Sequence, residues 1–166
     1  MRTLSFAWTT PAVLASHFQP DLTCKTRTRR DWASKTQDWW FRLVDQHGGV
    51  HVKAWDKSPR FGGKPFGVVL VHKVTLNAPA CAVQPANWTL EGFDMLQAIG
   101  QEFQKGHSAL SLWRWWRSQP ENYRLTVIDF RLVEVNEYGR QLWRELEARH
   151  GEVLRRRLSL EEAMRG

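Results

Sequence analysis

The sequence predicts an α+β fold, a small mixed sheet or barrel with helices packed on it. Segments with strand patterning outnumber helical ones in residues 1–136, and the helical segments fall between them irregularly rather than in strict alternation. Hydrophobic residues make up 42% of a 166-residue chain that holds ten tryptophans, enough for a core of its own.

Residues 4–8 alternate apolar and polar side chains, the period of a strand. Thr9-Thr10-Pro11 opens a helix, with Thr10 as its cap and proline at the first helical position. That helix covers 12–15, and 16–22, with Pro20-Asp21, is a loop. Residues 24–30 alternate Thr with Lys or Arg and read as a strand, because β-branched residues suit the pleat. A short helix or turn over 35–41 follows, then a turn at Gln46-His47-Gly48-Gly49 and a strand over 50–55. A polar loop over 56–65 precedes the longest apolar strand, 66–76, expected at the centre of the sheet.

Pro79 and Pro85 make 77–90 a loop, and 90–104 has helical periodicity through Phe93, Leu96 and Phe103. Residues 108–118 form a second helix dense in aromatics. There Trp113-Arg114-Trp115-Trp116-Arg117, like Trp39-Trp40-Phe41, is either a stacking platform for bases or core, with Trp113 and Trp116 inward and Trp115 facing elsewhere. Residues 123–135 alternate as a strand buried on at least one face, where Asp129 either pairs with Arg131 or the basic strand or sits exposed. Residues 1–136 thus form one domain. Residues 137–166, with Leu142, Trp143, Leu146, Val153 and Leu154 at helical spacing, form a helical extension docked on the body or a partner.

The formal net charge is +7; residues 137–166 hold seven Arg against six Glu, so the first 136 residues carry the other +6. A basic folded body rich in rings points to nucleic acid, whose phosphates attract cations and whose bases stack on aromatics. Cys24 and Cys81 form no CxxC pair, and no apolar run is long enough to span a membrane, so the expected setting is a reducing compartment, the cytoplasm. Cys24, beside Lys25, is either a small apolar filler or a low-pKa thiolate. His47, His51 and His72 lack metal-ligand spacing, so neither a metal nor another cofactor is expected.

Four cations, Lys25, Arg27, Arg29 and Arg30, crowd residues 25–30, with Thr26 and Thr28 among them and Asp31 and Trp32 following. In a regular strand Lys25, Arg27 and Arg29 face one side and Thr26, Thr28 and Arg30 the other. Such a strand suits a polyanion or a small polar substrate, or is a solvated edge kept from aggregating by its charge. Lys57, Ser58, Arg60 and Lys64 in the glycine-containing loop are either a phosphate contact or a mobile connection. Trp32, Trp40 and Trp55 flank charged strands and are the stacking candidates, while Arg155-Arg156-Arg157 either extends a nucleic-acid surface or is solvated.

The order Leu4-Ser5-Phe6, a short helix, Lys25-Thr26-Arg27-Thr28-Arg29-Arg30-Asp31, a turn, a strand and Glu91-Gly92-Phe93 resembles the ASCH domain family of the PUA-like superfamily. That family carries a G-x-K-x-x-E/T-x-R element after its first helix, matched here by residues 23–30, with Thr23 in place of the usual Gly and an apparent insertion over 16–22. Asp56-Lys57-Ser58-Pro59-Arg60 is similar to a later family segment, and the resemblance spans roughly residues 3–135. It implies a small barrel ringed by helices, with a cleft lined by the basic strand, that binds RNA or a modified nucleobase such as a cytidine-type nucleoside. One branch hydrolyses N4-acetylcytidine to cytidine with a Lys, a Thr three residues later and a distal Glu, which map to Lys25, Thr28 and Glu91. The implied binding residues are Arg27, Arg29, Arg30, Trp32, Trp55, Lys57, Ser58, Arg60 and Lys64.

The chemistry is coherent. Thr28 has the nucleophilic hydroxyl, and Lys25 takes its proton only as a neutral amine, which requires a pKa far below the free-lysine value of about 10.4. Neighbouring arginines and desolvation both act in that direction. Lys25 and Thr28 are three residues apart, so they converge only where a bulge or the start of the strand bends the chain. Two other functions use the same cleft: a non-catalytic RNA-binding module and a ribonuclease.

Overall fold

A computed structural model describes residues 1–166. Strand β1 (Thr3–Ser5) leads into helix α1 (Thr10–Phe18), and strand β2 (Arg27–Arg30) into helix α2 (Ser34–His47). Strands β3 (Val50–Trp55) and β4 (Pro65–Pro79) pair antiparallel, and the short helices α3 (Asn87–Leu90) and α4 (Phe93–Ala98) precede α5 (Ala109–Arg117). Strand β5 (Arg124–Val135) completes the sheet, and α6 (Glu137–His150) and α7 (Leu160–Arg165) end the chain.

The five strands run in the order β1-β3-β4-β5-β2, with β1 parallel to β3 and every other pair antiparallel. The expected central strand is central, and the α+β expectation holds. Register shifts between Ala54 and Trp55, Val68 and Val69, Val71 and Lys73, and Thr75 and Ala78 bend the sheet, since each bulge adds twist. The sheet curls far enough that its two edges meet across one side chain: Arg30 Nη2 on β2 donates to the Ser5 carbonyl of β1 at 2.5 Å. Phe6, Phe66 and Phe130 fill the inside of the curl, with Phe6 5.1 Å from Phe130 and 6.2 Å from Phe66. Burying each such ring contributes about 1.5–3 kcal/mol.

Several boundaries depart from expectation for identifiable reasons. The basic strand is laddered only over Arg27–Arg30, and the chain before it leaves the sheet. Helix α2 runs past the expected 35–41 to His47, and Gly48 ends it in the left-handed conformation at φ 67°. The single helix expected over 90–104 is broken twice, by Gly92 at φ 79° and Gly100 at φ 70°, conformations a helix interior does not contain. Thr9, not Thr10, occupies the α1 capping position, and the Thr10 hydroxyl instead donates to the Phe6 carbonyl at 2.7 Å.

Residues 137–166 pack against the rest of the molecule. Trp143 is buried and stacks on Phe18 at 5.2 Å, and Leu154 and Ala163 are buried in the same core. The 156–158 stretch crosses α4 and α3: Leu158 N–H donates to the Asp94 carbonyl, Trp88 Nε1 donates to the Leu158 carbonyl at 2.7 Å, and Arg157 Nη2 donates to Gln19 Oε1 at 2.9 Å. No helix is long and apolar enough to cross a membrane.

Candidate active site

Strand β2 pairs with β5 in a register that sets Arg27 opposite Asp129 and Thr28 opposite Ile128. The Arg27 Nε donates to Asp129 Oδ1 at 2.8 Å, so of the open alternatives for Asp129 the pairing with the basic strand is the one found. Just before the ladder, Thr26 accepts from Phe130 N–H at 2.9 Å and donates its own N–H to the Leu90 carbonyl at 3.0 Å. These two bonds hold residue 26 between β5 and the end of α3. The bend displaces Lys25 from the strand's alternation.

Lys25 is buried, and its Nζ donates to the backbone carbonyls of Arg27 at 2.5 Å and Glu91 at 2.9 Å. Glu91 lies at the α3–α4 junction, 1% exposed, with Oε1 3.8 Å from Lys25 Nζ and Oε2 accepting from Arg29 Nε at 2.8 Å. The junction works because residue 92 is glycine. A Cβ there would sit 2.6 Å from Ala12 Cβ and 3.0 Å from Lys25 Cβ, at a φ that side chains resist.

Thr28 is buried on β2, and its Oγ1 accepts from Arg30 Nε at 3.3 Å, leaving the hydroxyl proton without an acceptor in the protein. Lys25, Thr28, Arg29, Arg30 and Glu91 all line one cavity of about 230 Å3, at the seam where the sheet edges meet. Lys25 and Thr28 thus reach the same cavity despite their three-residue spacing. Phe6, Trp8, Phe93 and Trp116 form its apolar walls, and Arg29 stands 5.7 Å over the Trp116 ring. The volume is below the roughly 300–1,000 Å3 of drug-sized sites and suits a single ring with a short arm.

Three cations here face a single carboxylate. Burial drives the Lys25 amine down from 10.5 to about 8, against the pull of Glu91 and with help from Arg30 and Arg29. Burial likewise lowers Arg30 to about 10 and raises Glu91 above the usual carboxylate range, where Lys25 and Arg29 oppose it. A neutral Lys25 has two N–H groups, which the two carbonyls use, and keeps its lone pair. The arrangement can thus accept a proton at Lys25 near neutral pH and offer guanidinium charge to a developing oxyanion.

The other sequence candidates lie outside this cavity. Trp32 stacks on the buried Trp40 at 5.5 Å, and Trp55 is half-buried with an Nε1 that finds no partner. In the 56–65 loop, Lys57, Arg60 and Lys64 are exposed, and Lys64 stands over the Tyr138 ring. The loop is organised by Asp56, which accepts from Lys64 N–H at 2.8 Å and from Tyr138 OH at 2.5 Å. Of the two open readings for the 113–117 aromatics, Trp113 and Trp116 fit core, being buried, whereas Trp115 is exposed and Trp116 also forms a cavity wall. Trp8 was legible only as the end of a strand. Its one signal is a large aromatic directly before the Thr-Thr-Pro helix start. Cys24, of the two open readings, fits the filler: it is free and half-buried against the core, and burial pushes its thiol up.

Fold and site together define an α+β protein with a buried lysine, hydroxyl and carboxylate around one small cavity. No family model matches the chain, and no curated protein or solved structure matches it.

Proposed function

We propose that this chain hydrolyses the exocyclic amide of an N4-acylcytidine-type nucleoside, releasing cytidine and a carboxylic acid. The observation that carries the reading is the meeting of a buried, pKa-lowered Lys25 with Thr28 and Glu91 in one cavity. Neutral Lys25 takes the Thr28 proton as Oγ1 attacks the acyl carbon, and Arg29 and Arg30 stabilise the oxyanion. The C–N bond breaks as the Lys25 ammonium returns the proton to the leaving nitrogen. Water, deprotonated by Lys25, then attacks the threonine ester, the ester C–O bond breaks, and the Lys25 ammonium returns the proton to Thr28 Oγ1 as the acid leaves. Glu91 holds Arg29 by charge and Lys25 through its backbone carbonyl.

The same reading takes the domain as an ASCH-type, PUA-like barrel, supported by a five-strand sheet whose edges one arginine bridges. Two free cysteines accord with a cytoplasmic setting. Incubation with N4-acetylcytidine and chromatography for cytidine tests the activity; no product at high enzyme concentration excludes it. The surplus of cations also favours a second reading, a module that holds RNA without turnover. Its RNA affinity would fall steeply with salt, and a flat salt response would count against it.

A further inference from the structure

A second cavity of about 380 Å3 adjoins the first, and the two share Trp8, Arg29, Phe103, Leu112 and Trp116 as a common wall. Beyond that wall stand Trp115 and Tyr123, crossed edge to face at 5.4 Å. Trp8 and Trp115 keep 41% and 38% of their surface exposed, an unusual amount for two large rings lining one hollow.

Charge gives the space a direction. Arg29, on the common wall, has only its Nε engaged by Glu91, which leaves its terminal nitrogens as donors. Lys105 and His107 also line the second cavity. Asp31, the one carboxylate there, stands beside Tyr123, whose hydroxyl donates to its Oδ2 at 3.4 Å. An anion is therefore drawn toward Arg29 and repelled from the Tyr123 end, while a planar ring is accommodated between tryptophans.

We propose that the second cavity receives the ring of an aromatic carboxylate whose carboxylate group turns toward Arg29 and the first cavity. Resting on the amide-hydrolysis reading, the acid is the acyl half of the preferred substrate, so the chain favours aroyl over acetyl amides. Water is consumed, the acyl–nitrogen bond breaks, the amine leaves with one proton, the aryl acid leaves as its carboxylate, and the remaining proton passes to solvent.

Calorimetric titration of the full chain with benzoate and with acetate tests this. Benzoate should bind at least about tenfold more tightly, the size of one ring stacked on an aromatic side chain. Trp115→Ala, checked for an unchanged Tm, should erase that preference without weakening acetate; Tyr123→Ala, which lines only the second cavity, reads the same space if the first variant misfolds. Equal affinity for benzoate and acetate, or a benzoate preference that survives in a folded Trp115→Ala chain, overturns the proposal. Turnover separates it from the reading it rests on. Benzoate binding without cytidine release from N4-benzoylcytidine defeats hydrolysis and leaves the aryl-acid site standing. Equal kcat/KM on the benzoyl and acetyl substrates defeats the aryl preference alone.

Discussion

Residues 25–30 and residues 57–64 both bunch cations beside small polar residues, and on the sequence alone they look equally suited to an anion. In the fold they part. The first group is carried under the sheet's seam, where Lys25 is 2% exposed and shares a cavity with Arg29, Arg30 and Glu91. The second sits in a loop where Lys57, Arg60 and Lys64 face water. Water screens the loop's charges, whereas burial makes each cation in the cavity costly unless it is paired or neutralised. Clustered charge marks a reactive site only where the fold withholds solvent from it.

Substitutions sharpen the contrast, beginning with the chemistry. Lys25→Ala and Thr28→Ala should each lower cytidine release by about 10²–10⁴-fold, the usual scale for a positioned base and its partner. Retention of the parent rate by either variant would remove that residue from the mechanism. Glu91→Gln takes away the only carboxylate facing the cavity's three cations and should cost about 3–5 kcal/mol in denaturant unfolding. A loss below about 1 kcal/mol, the scale of an exposed pair, would mean the cluster is effectively solvated.

Stability against pH probes Lys25 separately. Its folded pKa of about 8 lies below the 10.5 of the unfolded chain, so between those values the unfolded chain holds a proton that the folded one lacks. Stability from this group therefore rises with pH across that window. Lys25→Met, which keeps the stem and removes the charge, should be more stable than the parent near neutral pH by about 3 kcal/mol at most, and the gap should close as pH climbs from about 8 toward 10.5. Urea midpoints on both sides of the window measure this; a gap that does not change with pH would place Lys25 in a solvated setting. The smallest effects belong to the loop. Lys57→Ala, Arg60→Ala and Lys64→Ala should each stay within about 0.5 kcal/mol of the parent and leave turnover unchanged.

The large patterns were legible because they rest on local rules. Strand β4 announces itself by the apolar run Phe66–Val71 and the alternation after it, and α5 by its dense aromatics. The break at Gly92 was not, because the apolar period continues across it and only contact with Ala12 and Lys25 fixes the turn. For the same reason the sequence names Lys25, Thr28 and Glu91 through a resemblance but cannot bring Lys25 and Thr28 together. Their meeting depends on Thr26 being held by Phe130 and Leu90, residues far along the chain. The aromatic wall at Trp116 stayed open between core and stacking surface because core packing and cavity lining demand the same residues.

The most direct test of the central claim is the pH profile of kcat/KM for cytidine release from N4-acetylcytidine, measured on the parent and on Lys25→Met. The account predicts a parent rate that rises tenfold per pH unit on the acid side and levels off above about pH 8, with the folded variant about 10²–10⁴-fold slower and lacking that rise. A parent profile that is flat between about pH 6 and 9, or a variant that keeps the parent's rate, would contradict it.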